Sequence, residues 1–435
     1  MKSCLPQNGW LLLGVAGTLT LCLAGNAASG EPPHGGAKAC SAHTRYLLLN
    51  LHPGEATDGQ VFARIAALRP AVEQGEVRLG VSSIFSYLNG DRQRLANQLD
   101  HFLALAVEHD LPVVVQLDGE QWWNGRPDLW NWWDLELPGF DARNRENVEW
   151  SDWGPEHAVR ISWRNWGRQI RVRPAPNLMA PRYREACYEE MRWLIPRILA
   201  WWRGLPEEKQ SLFVGVKVGW ESAVGMGSFY YPDGNRYADL PESEDPQTGI
   251  DAQQLPHRGV QAIGYAAVSA LNLADSGELS EEHLAEVVAV HLADLCRLAH
   301  ELGLPRDRLF THSGGWKEGE RLYFSAVNEH SCPGWSFYRH APDPRGDTTA
   351  MAAWETSDAP YWAAVEWLPV YVRTREEWET ALRNTLSAEG CRYLCIFNWR
   401  SIRENADALA AITTVLEQPH GADAVEGMAS GTTAE

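Results

Sequence analysis

Short apolar runs rich in β-branched residues alternate with amphipathic stretches, and this alternation constrains the fold more than any other feature of the chain. Arg45–Asn50 (RYLLLN) reads as strand one and Val61–Glu73 as a helix. Val77–Ser83 (VRLGVSS) is strand two, Arg92–His109 a helix that stops before Leu111-Pro112, and Val113–Leu117 (VVVQL) strand three. Strand–helix–strand units at this spacing mark a parallel sheet. The period is lost from Asp118 to Arg182, then returns as a helix over Arg182–Arg203 in which Pro196 predicts a kink.

Phe213–Val218 is strand four, Leu309–His312 strand five, Gly334–Tyr338 strand six, Trp362–Glu366 strand seven and Tyr393–Asn398 strand eight. Helices are expected over Ser280–Leu302, with Ser280 at its start, and over Arg375–Ala388 and Asn405–Glu417. The links from strand five to six and from six to seven read as loops. Eight strands with helices between most of them predict an α/β fold, a (β/α)8 TIM barrel over residues 45–417. Long Trp-rich loops follow strands three and four, and 118–182 reads as an inserted loop or small subdomain. An open doubly wound sheet is disfavoured, because no Gly-rich phosphate fingerprint follows the early strands.

A formal charge of −19 over 435 residues argues against nucleic acid or an anionic membrane surface as partner. Residues 1–30 read as a signal peptide: Lys2, an apolar run over Trp10–Ala24, then small residues. Export to the periplasm or the extracellular space is expected, with 31–44 as a leader, 418–435 as a disordered tail and no membrane span. Cleavage would leave Cys40, Cys187, Cys296, Cys332, Cys391 and Cys395. A Cys40–Cys391 disulfide and six buried thiols both fit. No Cys/His spacing resembles a zinc site, so neither metal nor cofactor is expected.

Two strands end alike. Gly219-Trp220-Glu221 closes strand four, and Val365-Glu366-Trp367 closes strand seven. Catalytic groups of such barrels sit at strand C-terminal ends, so Glu221 and Glu366 are the candidate catalytic pair. Asp118 and Glu120, His312, Tyr338, Asn398 and Trp399 share that rim, with Trp220 and Trp367 beside the two carboxylates. A tryptophan face suits stacking on sugar rings, and of the 21 tryptophans Trp122, Trp123 and Trp133 are the expected platforms. Asp118 and Glu120 are expected to bind sugar hydroxyls and are rival carboxylates. Glu355, in what reads as loop, is another rival. His283, His291 and His300 share a helix without acidic partners and read as surface or packing residues.

Glycoside cleavage needs one carboxyl as proton donor and a second as base or nucleophile. Trp220 would raise the Glu221 pKa, while Glu366 would stay ionised with help from Tyr338. The layout resembles the clan A glycoside hydrolases, which are retaining (β/α)8 enzymes. The resemblance implies that Glu221 is the acid/base, Glu366 the nucleophile, Tyr338 its hydrogen-bond partner and Trp399 a sugar-subsite residue. Trp220 stands where the clan usually has Asn. An oligosaccharide, polysaccharide or simpler glycoside is the implied substrate. A carbohydrate-binding barrel without turnover is the alternative, and a metal-dependent hydrolase using Asp118, His312 and a Glu a weaker one.

Overall fold

The computed structural model describes residues 44–417 apart from 71–75, 225–226, 252–253, 255 and 315–318. The expected signal peptide, most of the expected leader, Cys40 and residues 418–435 lie outside the described residues.

The first half runs β1 (Arg45–Leu51), α1 (Gly59–Ala66), β2 (Val77–Ser86), α2 (Arg92–Glu108), β3 (Val113–Asp118) and α3 (Pro127–Trp130). A hairpin, β4 (Ser162–Asn165) and β5 (Gln169–Val172), precedes α4 (Pro181–Arg203), β6 (Phe213–Ser222) and β7 (Ser228–Tyr230). The second half runs β8 (Gln261–Ala262), α5 (Tyr265–Ala270), α6 (Glu281–Glu301), β9 (Leu309–Ser313), β10 (Gly334–Phe337) and α7 (Thr348–Thr356). It closes with β11 (Trp362–Trp367), α8 (Arg375–Ser387), β12 (Cys391–Ile396), α9 (Trp399–Ile402) and α10 (Ala406–Glu417).

Eight parallel strands close in the order β1-β12-β11-β10-β9-β6-β3-β2. All eight expected strands are therefore present in one (β/α)8 barrel. Buried on both faces, such strands read as unbroken apolar runs: β3 and β12 are buried at every residue. The helices start where side chains satisfy their first N–H groups. Asp91 accepts from Arg94 N on α2, Ser280 from His283 N on α6, and Thr374 and Glu377 form a capping box on α8.

The elements depart from expectation in two places, at the end of α1 and in the link from strand six to seven. α1 stops at Ala66, short of Pro70, whose ring disfavours helix in the residue before it. α4 continues through Pro196 as one helix. The link from strand six to seven carries α7, so Glu355 is helical rather than in a loop. Cys187, Cys296, Cys332, Cys391 and Cys395 are buried free thiols.

The two Trp-rich excursions meet. β5-β4-β7-β8 form a four-stranded sheet, antiparallel throughout, that joins the loop after β3 to the loop after β6. Trp163 anchors its small core with Val159, Ile161, Tyr230, Tyr231 and Ile263. The arginines here serve the insertion: Arg143 pairs with Asp141 at 2.8 Å, and Arg145 and Arg173 lie over Trp132 and Trp130.

Close approach of β2 and β3 requires Gly80. A Cβ there would lie 2.2 Å from the Pro112 carbonyl oxygen and 2.8 Å from Leu48 Cδ2. Overpacking of this kind costs about 1–3 kcal/mol. Gly80→Ala is expected to lower the urea midpoint accordingly, and an unchanged midpoint would contradict this packing.

Candidate active site

Both candidate carboxylates sit on irregular strand ends. On β6 and β9, Val218 pairs with Thr311 and Ser222 with Ser313, so four residues of β6 span two of β9. Within this bulge Gly219 has φ +84° and Glu221 φ +47°. A side-chain-bearing residue in the left-handed region costs about 1–2 kcal/mol, and here the strain turns the Glu221 side chain into the barrel mouth. On the opposite wall Trp335 pairs with Ala364 and Ser336 with Glu366, a second bulge that skips Val365. Bulges of this kind re-aim side chains. The nearest oxygens of Glu221 and Glu366 come within 4.8 Å of one another and of a His312 ring nitrogen.

The pair is deeply buried, Glu221 4% and Glu366 1% exposed. Glu221 Oε1 accepts from Ser336 Oγ at 2.9 Å and Oε2 from Trp166 Nε1 at 3.1 Å. Tyr338 OH donates to Glu366 Oε2 at 2.7 Å. Burial, then the neighbouring Glu221 charge, push the Glu366 carboxyl up to about 8, against the pull of Lys217, Tyr338 and Trp220. The expectation that Glu366 is ionised by its tyrosine partner is thus corrected. Burial, the larger influence, outweighs the Tyr338 hydrogen bond in the direction of the Glu366 shift.

Trp220 stacks on Trp166 at 5.3 Å and lies 6.4 Å from Phe397, while Trp122 is 6.1 Å from Trp166. All four rings are partly exposed and form an aromatic wall beside Glu221. Trp166, in the turn of the β4–β5 hairpin, had no place among the expected site residues. Its sequence offers no signal beyond membership of a crowded tryptophan segment.

Several expected residues lie elsewhere. Asp118 is fully buried, its carboxylate taken by Ser86 Oγ and the backbone N–H groups of Glu120 and Gln121, so it holds its own loop. Burial moves its pKa up to about 6. Glu120 accepts from Ser222 Oγ at 2.6 Å and meets His291 Nε2 at 3.2 Å behind the rim. His291 therefore has an acidic partner after all. Trp123 donates to the Pro174 carbonyl from a 1% exposed position, and Trp133 packs on Trp130 and Trp132 inside the insertion. Trp367 points outward to Ala341 O and Thr385 Oγ1. Trp399 is buried under Arg64. Asn398 is partly exposed, its Oδ1 3.5 Å from Ser401 Oγ.

Lys217 and Ser336 were not foreseen at the site. Lys217, 1% exposed, projects into the barrel with Nζ 3.3 Å from His312 Nδ1 and 3.2 Å from the Val365 carbonyl oxygen. His312 Nε2 lies 2.9 Å from Ser336 Oγ. Glu221, His312 and Glu366 are close enough together to ligate a metal ion. Both His312 nitrogens are already engaged, however, and the Lys217 amine faces the same space.

A (β/α)8 barrel with two rim carboxylates, from its fourth and seventh strands, is therefore the class that fold and site define. No protein-family model and no curated protein matches the chain. Among solved structures it is similar to the catalytic domain of β-amylase from Paenibacillus polymyxa. That likeness has 10% identity and a TM-score of 0.47, over 86% of this chain and 98% of that one. GH5_18 from Streptomyces cattleya in complex with GlcNAc is similar at 11% identity and a TM-score of 0.42, over 86% and 80%. The β-mannanase of the blue mussel Mytilus edulis is similar at 10% identity and a TM-score of 0.38, over 84% and 85%. Likenesses this distant carry no argument about activity, and the barrel rests on the chain's own strand order.

Proposed function

We propose that this chain is an exported glycoside hydrolase that cleaves an oligosaccharide, polysaccharide or simpler glycoside with retention of configuration. The observation that carries the reading is the approach of the Glu221 and Glu366 oxygens to within 4.8 Å beside an aromatic wall. Retaining enzymes hold their carboxyl groups about 5–5.5 Å apart, whereas inverting enzymes need about 6.5–9.5 Å to admit a water. In this reading Glu221 protonates the leaving oxygen while Glu366 attacks the anomeric carbon. Glu221, now ionised, takes a proton from the water that releases the sugar. Tyr338 holds Glu366 Oε2 in place. The shared proton must reside on Glu221 during attack, so sugar binding draws it from Glu366. Among the described residues no helix is long and apolar enough to cross a membrane.

A pH dependence follows from the shared proton. Below about 8 Glu366 holds a proton that can pass to Glu221 for the leaving group, and above it Glu366 ionises and that proton is lost. The expected kcat/KM falls about tenfold per pH unit on that alkaline limb. A profile flat to pH 9.5 would contradict the assignment.

Hydrolysis of a panel of aryl α- and β-glycosides and oligosaccharides tests the function. Near-complete burial of both carboxylates favours one second reading, a barrel that binds carbohydrate without cleaving it. Calorimetric binding of a sugar with no turnover of any panel member would establish that reading instead.

A further inference from the structure

Three buried residues next to Glu221 have no role in the two-carboxylate chemistry, yet they form a continuous chain to it. Lys217 Nζ lies 3.3 Å from His312 Nδ1, His312 Nε2 lies 2.9 Å from Ser336 Oγ, and Ser336 Oγ lies 2.9 Å from Glu221 Oε1. β6, β9 and β10 each contribute, so the chain exists only in the closed barrel. Each proton in it has one place to go. Lys217 Nζ donates to the Val365 carbonyl oxygen, and in the direction proposed here it donates also to His312 Nδ1, which accepts. The neutral imidazole then carries its hydrogen on Nε2 and donates to Ser336. The hydroxyl has a single hydrogen, which is left for Glu221 Oε1.

We propose that Lys217, His312 and Ser336 are positioning residues that fix this donor direction, making Glu221 Oε1 a constant acceptor and Oε2 the oxygen that carries and delivers the acid proton. The proposal rests on the glycosidase reading and deepens it. Trp166 Nε1, 3.1 Å from Oε2, donates to a lone pair of that oxygen and leaves its proton free to point at the leaving group. Burial and the facing Lys217 hold the His312 pKa well below its usual value, so the ring stays neutral and does not itself shuttle protons. The other charged or titratable groups that face Glu221 are Glu366 and Tyr338 across the barrel mouth and Arg164 from the insertion. Burial lowers the Lys217 pKa, opposed in part by the neighbouring Glu366 and Glu221 carboxyls.

Two measurements on the whole protein test the proposal, and the first does not depend on activity. In histidine-15N-labelled protein, His312 should show the Nε2–H tautomer from pH 5 to 9. In glutamate-13C-labelled protein, Ser336→Ala should raise the Glu221 titration by about one pH unit, the loss of one hydrogen bond to a charged group. The alkaline limb of kcat/KM should move with it, and Ser336→Thr, which keeps the hydroxyl, should restore both. An Nδ1–H tautomer would overturn the donor direction. A Glu221 titration unmoved in Ser336→Ala would overturn the positioning role. Absence of turnover by wild type, with tautomer and titration as expected, would instead overturn the glycosidase reading and the proton-delivery role with it.

Discussion

Glu366→Gln is expected to abolish turnover of every substrate, a loss of about 10⁴-fold or more in kcat, since loss of a catalytic nucleophile is on that scale. Among the described residues Glu366 is the carboxylate placed to attack opposite the Glu221 proton, and the uncharged amide that replaces it is a poor nucleophile. Fold should survive. Tyr338 OH, which donates to Glu366 Oε2, can still donate to the amide oxygen, and Trp220 can do the same. Removal of a carboxyl that burial pushes up to about 8 also relieves the folded state above neutral pH. The sign follows from linkage. A raised folded pKa means that ionisation is disfavoured in the native protein, so wild-type stability falls as pH rises from about 4.5 to 8. The variant lacks that slope. Steady-state rates and thermal melts at pH 6 and 8.5 check both halves, and a variant with even a tenth of wild-type turnover would remove Glu366 from the chemistry.

Glu221→Gln should behave differently. A leaving group that departs without protonation bypasses the acid, so activated aryl glycosides should retain measurable attack. Unactivated substrates should lose about 10²–10⁴-fold, the usual contribution of a positioned acid or base. With activated substrates the second step becomes limiting, because water has lost its base, and a burst of aryl alcohol should precede a slow steady state. Equal losses on all substrates would instead point to a structural role for Glu221. Its left-handed backbone and two donors make that a fair alternative to test.

The barrel was legible because its strands are buried on both faces and its helices carry their own caps, information local to each segment. The insertion was not. β4 and β5 have four residues each, mix Trp, Arg and Gln, and gain their sheet only by pairing with β7 from a separate loop. At the rim, strand-end position placed Glu221, Glu366, Tyr338 and Trp220 together but gave no direction to their neighbours. Side chains alternate along a strand, so Trp367, next to Glu366, faces the outer helices, and the alternation alone was enough to reject it. Trp399 opens α9 under Arg64, a helix too short to announce itself. Lys217 read as one polar residue in an apolar strand, and its meaning appears only when β9 and β11 close around it. The Glu120–His291 contact joins residues 171 positions apart, beyond any local pattern.

The measurement closest to the central claim is the anomeric configuration of the first-formed product, followed by proton NMR during hydrolysis. Two carboxylates whose oxygens approach within 4.8 Å predict double displacement, with product of the same configuration as the substrate. A first product of inverted configuration would contradict the account, since Glu366 would then activate water rather than bond to the sugar.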